Sequence, residues 1–300
     1  MSEVSPAQTT IGFIGLGVMG RSMASHLLAA GYSLRVYTRT QTKAAPLLEA
    51  GAIWCESPAA LAPECDVIIS IVGFPHDVEE VYLGENGLIA HAKRGSTLID
   101  MTTSSPLLAE RIGREARENG LAFLDAPVSG GDIGAREARL AIMAGGSEEA
   151  FERVRPIFEI MGKNINRLGP IGAGQHTKMA NQIAVAGTML GTCEALAYAK
   201  FAGLDPEQVL QSIGGGAAAS WSLNNLGPRI IQEDYAPGFF VKHFIKDMSL
   251  AIEAARETGC ATPALDLALA MYQQLAAEGH EDAGTQVLAR LYETGRKQDL

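Results

Sequence analysis

The sequence predicts an α/β domain wound on a parallel sheet, followed by an all-helical domain. Three observations carry this. Short apolar runs alternate with amphipathic stretches from Ile11 onward, a glycine-rich turn joins the first such run to a helical one, and strand signals fade beyond Gly169.

The opening unit is the clearest. Ile11-Gly12-Phe13-Ile14 predicts a strand, Gly15 to Gly20 a tight turn, residues 18–30 a helix ended by Gly31, and Leu34-Arg35-Val36-Tyr37 the next strand. Together they make one βαβ unit. Further strands are predicted at residues 67–72, 97–100, 122–125, 140–144 and 165–168, with helical stretches between most of them. Gly169-Pro170-Ile171-Gly172-Ala173-Gly174 is loop-like, and a long helix follows from near Gly172 to about Phe201. Its middle is nearly uncharged, so burial around most of its circumference is expected, between the domains or against a second subunit. The predicted domains are therefore residues 1–168, an α/β unit, and residues 169–300, which are helical and start with the long helix.

Composition narrows the function. A chain of 300 residues with 47% hydrophobic and 19% charged side chains has material for a large core. A net charge of -10 without a concentrated Lys/Arg stripe argues against a nucleic-acid partner. Cys55, Cys65, Cys193 and Cys260 are scattered without a C-x-x-C pair and read as reduced thiols. Residues 1–10 lack a basic stretch followed by an apolar one, so no secretory signal is read and a cytoplasmic location is expected. The most apolar window, residues 179–193, contains Asn181, Gln182 and Thr188 and falls short of the ~20 residues that span a bilayer. No membrane partner is expected.

Gly15-Leu16-Gly17-Val18-Met19-Gly20 matches G-x-G-x-x-G, whose glycines permit a tight turn, close approach of a pyrophosphate and close helix–strand packing. Its place between a strand and a helix makes it a Rossmann-type dinucleotide site. An acidic residue at the end of the second strand would bind the ribose 2′-hydroxyl of NAD. Here Thr38-Arg39-Thr40 stands instead, and an arginine flanked by hydroxyls suits the 2′-phosphate of NADP. NADP is the expected cofactor, with NAD as the other candidate.

Lys178, Asn181 and Gln182 fall at i, i+3 and i+4 and share one face of the long helix. On the helix alone, a lysine whose charged end reaches solvent explains Lys178 as well as a functional one does. Another segment bears on the choice: Asp125-Ala126-Pro127-Val128-Ser129-Gly130-Gly131 follows directly on a predicted strand.

In order and spacing, residues 15–20, 125–131, 172–182 and 240–247 resemble the signature segments of the beta-hydroxyacid dehydrogenases. That family includes 3-hydroxyisobutyrate dehydrogenase, tartronate semialdehyde reductase and the glyoxylate/succinic semialdehyde reductases. The resemblance covers essentially the whole chain after Thr10. It implies a phosphogluconate dehydrogenase-like fold and hydride transfer between the nicotinamide and a small carboxylate-bearing hydroxyacid or semialdehyde.

It also implies roles. Lys178 resembles the family's catalytic lysine, Ser129, Gly130 and Gly131 its carboxylate-binding loop, and Asn181 and Gln182 its substrate-orienting amides. Lys246 resembles its second cleft lysine, taken here with the cofactor contacts, and Thr103 lies in a segment like the loop beside the nicotinamide. Trp221 resembles a pocket wall, and as a large aromatic in an apolar run it is equally read as core. At Ala138-Arg139-Leu140 the chain departs from the family, which usually places a small or flexible residue and a threonine before the strand.

His176 and His243 read as packing or cofactor contacts. No His/Asp/Glu cluster has metal-ligand spacing, so no metal is expected. Two other readings stand beside the main one: a glyoxylate, succinic semialdehyde or tartronate semialdehyde reductase, and a nucleotide-binding scaffold that has lost its chemistry. The apolar helices predict a homodimer or homotetramer.

Overall fold

A computed structural model describes residues 4–293, so the outer ends of the two expected domains, residues 1–3 and 294–300, lie outside the described residues. The chain divides after Lys178 into two compact units.

The first unit is an α/β domain. Its strands are β1 (Thr10–Ile14), β2 (Ser33–Tyr37), β3 (Ile53–Trp54), β4 (Val67–Ser70), β5 (Thr97–Asp100), β6 (Ala122–Asp125), β7 (Val128–Ser129), β8 (Leu140–Gly145) and β9 (Gly162–Gly169). They form one sheet in the order β3-β2-β1-β4-β5-β6-β8-β7, with β9 beside β8. The first six are parallel, in the doubly wound order whose reversal lies between β1 and β4.

Apolar residues on both faces explain why most of these strands read as short apolar runs and not as a strict alternation. Ile11 and Phe13 of β1 pack with Met23 and Leu27 of the helix Val18–Ala29. Ile14, Ile68 and Leu98 join a second cluster with Val78 and Tyr82 of the helix Pro75–Leu83 and Ile112 of the helix Pro106–Glu118.

The expected strands form close to their predicted positions. β4 ends two residues early because Val72 gives its N–H to the Thr102 hydroxyl at 3.0 Å instead of to a neighbouring strand. The parallel pattern breaks at β8, which runs antiparallel to β6 and β7. β8, the helix Glu148–Met161 and β9 then form another parallel crossover. At the departure noted above, Ala138 takes φ 52, a left-handed conformation that disfavours a Cβ. This explains why a small or flexible residue suits that position.

In the second unit, none of the described residues lies in a named strand; one isolated bridge joins Phe240 and Gly284. Its core gathers Phe244 and Met248 of the helix Val241–Glu257, Met271 and Tyr272 of the helix Pro263–Ala277, and Val287. Phe244 meets Tyr272 edge-on at 5.1 Å, and the Tyr272 hydroxyl donates to the Thr285 carbonyl at 2.7 Å.

The long helix runs Ala173–Phe201. Most of it is covered, but one line remains exposed, through His176, Ala180, Ala184, Gly187, Gly191, Glu194, Tyr198 and Phe201. Among the described residues no helix is long and apolar enough to cross a membrane. The four cysteines are free, with only Cys260 exposed, and burial pushes the Cys65 thiol up to about 12.

Candidate active site

The glycine turn leaves the end of β1. Gly15 sits at φ +95, and a Cβ there would overlap the Ile71 carbonyl oxygen. A Cβ at Gly20 would overlap the Gly15 carbonyl oxygen. Both glycines are therefore required by the fold. Gly17 differs: it caps the helix Val18–Ala29 with no side-chain hydrogen bond, and a Cβ there would meet nothing within 4 Å. Leu16 is buried and Met19 packs against the core, whereas Val18 is exposed. The first turn of this helix carries no acidic residue, so its N-terminal N–H groups suit an anion. This open cradle fits a dinucleotide pyrophosphate.

Thr38, Arg39 and Thr40 follow β2, with Thr38 half-buried and the other two exposed. Arg39 Nη1 pairs with Asp77 Oδ1 at 2.9 Å.

The loop after β5 is organised by Asp100. Its Oδ1 accepts the Thr102 N–H and the Ser70 hydroxyl, each at 3.0 Å. Thr103, on this loop, is half-buried. Ser129 belongs to β7, beyond the end of β6, and is also half-buried. Gly130 and Gly131 follow at φ 132 and φ 62, left-handed values that favour glycine, and the missing side chains leave their N–H groups unshielded.

The start of the long helix is tied to these loops. Asp125 Oδ1 accepts the Gly172 N–H and Oδ2 the Gln175 N–H, each at 2.8 Å. The Gln175 side chain accepts from the Ser104 N–H at 2.9 Å and donates to the Thr102 carbonyl at 2.7 Å. Burial pushes the Asp125 carboxyl up to about 6, against the opposing pull of those N–H groups. One turn beyond, Lys178 is 7% exposed.

In the second unit, Asp247 gathers three predicted residues. Its Oδ2 accepts from Gln182 Nε2 at 2.6 Å and its Oδ1 pairs with Lys246 Nζ at 2.9 Å, while Asn181 Nδ2 donates to Gln182 Oε1 at 2.7 Å. Trp221 heads the turn Ser222–Leu226 at 59% exposure, which rules out the core reading. His176 is exposed, and burial lowers the pKa of His243, with Lys246 acting in the same direction. No group of three or more His, Cys, Asp or Glu side chains among the described residues could hold a metal ion.

The predicted residues thus form two groups, one in each unit. Sequence reasoning assigned no role to Asp77, Asp100, Gln175 or Asp247, although Gln175 and Asp247 lie inside the segments that carried the resemblance.

A glycine cradle opening a helix, at the carboxyl ends of a doubly wound sheet, defines an NAD(P)-dependent oxidoreductase once known relatives are set beside it. Residues 10–169 match the profile of the NAD binding domain of 6-phosphogluconate dehydrogenase. Residues 172–292 match that described as NAD-binding of NADP-dependent 3-hydroxyisobutyrate dehydrogenase. An uncharacterized oxidoreductase of Bacillus subtilis is 58% identical over 94% of this chain and 98% of its own. The 2-hydroxy-3-oxopropionate reductase of Escherichia coli is 42% identical over 90% of this chain and 92% of its own. The solved structure of the 3-hydroxyisobutyrate dehydrogenase of Mycobacterium tuberculosis with L-serine superposes with a TM-score of 0.87 at 31% identity, covering 95% of this chain and 99% of that one. The chain belongs to the beta-hydroxyacid dehydrogenase family, and its expected phosphogluconate dehydrogenase-like fold is the observed one.

Proposed function

We propose that this enzyme is an NADP-preferring dehydrogenase of the 3-hydroxyisobutyrate type, interconverting a small carboxylate-bearing hydroxyacid and its semialdehyde with Lys178 as general acid and base. The observation that carries this reading is the nearly buried Lys178, one turn beyond a helix start held by Asp125 and Gln175.

The bound nicotinamide cofactor supplies the hydride in reduction and receives it in oxidation. Ser129 gives a hydroxyl, and Gly130 and Gly131 give backbone N–H groups, to the substrate carboxylate. Asn181 and Gln182, the latter fixed by Asp247, orient the substrate. The Lys178 ammonium stabilises the negative charge that develops on the carbonyl oxygen and delivers its proton; deprotonated, Lys178 takes the hydroxyl proton in the reverse direction. Thr103 and Lys246 complete the cofactor contacts, and Trp221 forms a pocket wall. Arg39, with Thr38 and Thr40, holds the 2′-phosphate, and NAD is the weaker cofactor.

Reduction of tartronate semialdehyde is the second reading, favoured by likeness to the Escherichia coli reductase. A spectrophotometric screen tests both, using NADPH and NADH against glyoxylate and the succinic, tartronate and methylmalonate semialdehydes, with the matching hydroxyacids in reverse. Lys178→Ala is expected to cost about 10²- to 10⁴-fold in turnover. Loss of only a few-fold would remove Lys178 from the chemistry, and cofactor binding without turnover on any substrate would favour a scaffold.

The same reading includes self-association as a homodimer or homotetramer. The exposed line on the long helix is small at Ala180, Ala184, Gly187 and Gly191, where a second helix can approach closely, and aromatic at Tyr198 and Phe201. A monomer by light scattering would contradict it. Four free thiols suit the reducing cytoplasm.

A further inference from the structure

We propose that Asp77 is a positioning residue for cofactor choice: it holds Arg39 ready at the adenosine end of the dinucleotide site and thereby favours a 2′-phosphorylated dinucleotide. This rests on the NADP preference proposed above.

Arg39 follows β2, and Asp77 lies in the helix Pro75–Leu83 that follows β4. β1 runs between those two strands, and the glycine turn leaves its carboxyl end. The ion pair, at 2.9 Å, therefore links the two sides of the glycine turn.

Its two ends are unequal. The Arg39 side chain is 77% exposed and that of Asp77 only 11%. Asp77 Oδ2 also accepts the Phe74 N–H at 3.1 Å, which fixes the carboxylate at the head of its helix. His76 Nε2 stands 3.6 Å from the Oδ1 that Arg39 uses, and the His76 ring stacks on Phe74 at 5.5 Å.

An ordinary surface ion pair joins two mobile side chains and gains little for ordering both. Here the acid is already ordered by the fold, so it orders the arginine. A guanidinium has five N–H donors in a rigid fork, and Nη1 alone is engaged with Asp77. The Nε–Nη2 edge remains for phosphate oxygens. A guanidinium held in place before the cofactor arrives loses less side-chain freedom when it grips a phosphate. A dinucleotide with a free 2′-hydroxyl offers no such anion and gains nothing comparable, so the ordering enters the difference between the two cofactors.

The test measures dissociation constants of NADPH and NADH for the full chain carrying Asp77→Asn, Asp77→Glu, Arg39→Gln, or Asp77→Asn with Arg39→Gln. Asparagine retains an acceptor for the Phe74 N–H, and thermal melts check that the helix start survives. For Asp77→Asn the NADPH constant is expected to rise about three- to ten-fold and the NADH constant to move less than about two-fold, with Asp77→Glu restoring part of the loss. In the Arg39→Gln background, Asp77→Asn should add nothing for NADPH, a result that a merely structural role would not give. An unchanged NADPH/NADH ratio, or tighter NADPH binding, in Asp77→Asn would overturn the proposal. If Arg39→Gln abolishes the preference while Asp77→Asn keeps it, only this proposal falls; if the native protein shows no preference, both readings fall.

Discussion

Gln175 donates its backbone N–H to Oδ2 of Asp125 at 2.8 Å, three residues ahead of Lys178. The other carboxylate oxygen takes the Gly172 N–H, so one buried acid meets two donors at the mouth of the long helix. The unpaired N–H groups and positive dipole charge of a helix N-terminus favour the anion there, but burial of the carboxylate outweighs them.

The arrangement carries a stability cost with a defined pH dependence. Burial pushes the Asp125 carboxyl from an ordinary 3.8 up to about 6. A folded value above the unfolded one means that the stabilising contribution is fully present below the unfolded pKa and is lost as pH rises through the folded pKa. Relative to a non-titrating Asp125→Asn variant, the native protein should lose up to ~3 kcal/mol of unfolding free energy between about pH 4 and pH 7. Urea titrations of both proteins across that range check this. Parallel pH profiles would mean that Asp125 does not titrate there.

The glycine turn makes a separable prediction. Gly17 has φ -73 and open space where a Cβ would stand, so the fold has little reason to reject alanine there. Gly17→Ala should cost no more than about 1 kcal/mol, the preference of an N-cap for glycine over alanine. Its methyl group would nonetheless stand in the path of the pyrophosphate and weaken dinucleotide binding by about ten-fold or more. Gly20→Ala should instead destabilise the domain by about 2 kcal/mol or more, since its Cβ overlaps the Gly15 carbonyl oxygen. Calorimetric titration with NADPH beside thermal melts separates the two effects. Native affinity in Gly17→Ala would place the pyrophosphate elsewhere.

How far the sequence could be read follows from how local each signal is. β5 and β6 form at residues 97–100 and 122–125 as predicted, because each carries adjacent apolar residues, Leu98-Ile99 and Phe123-Leu124, as a strand covered on both faces does. β3 and β7 have two residues each, too short to show any period. β8 was legible as a strand, but its antiparallel direction was not, since alternation carries no sense of direction. At the candidate site, helical spacing brings Lys178, Asn181 and Gln182 onto one face, whereas the roles proposed for them come from the family resemblance. The acids that organise the site were not. Asp77 meets Arg39 across 38 residues, Asp125 meets Gln175 across 50, and Asp247 meets Gln182 across 65. Such pairs are created by sheet order and helix packing, which no local spacing records.

Asp247 offers the remaining test. It is 2% exposed and holds the Lys246 ammonium at 2.9 Å and the Gln182 amide at 2.6 Å, so this cation and this donor offset its charge. Deleting the carboxylate would leave a largely buried ammonium without this counter-charge and an amide without this acceptor. Breaking such a pair from one side is costly, whereas replacing both charges with apolar groups of similar volume is far less so. Asp247→Ala should therefore lower stability by about 3 kcal/mol, and Asp247→Leu combined with Lys246→Met should recover much of that loss. Asp247→Asn, which keeps an acceptor for Gln182, should fall between them. Urea midpoints at neutral pH decide the matter: a single variant Asp247→Ala as stable as the native protein would mean that water, and not Lys246, compensates this carboxylate.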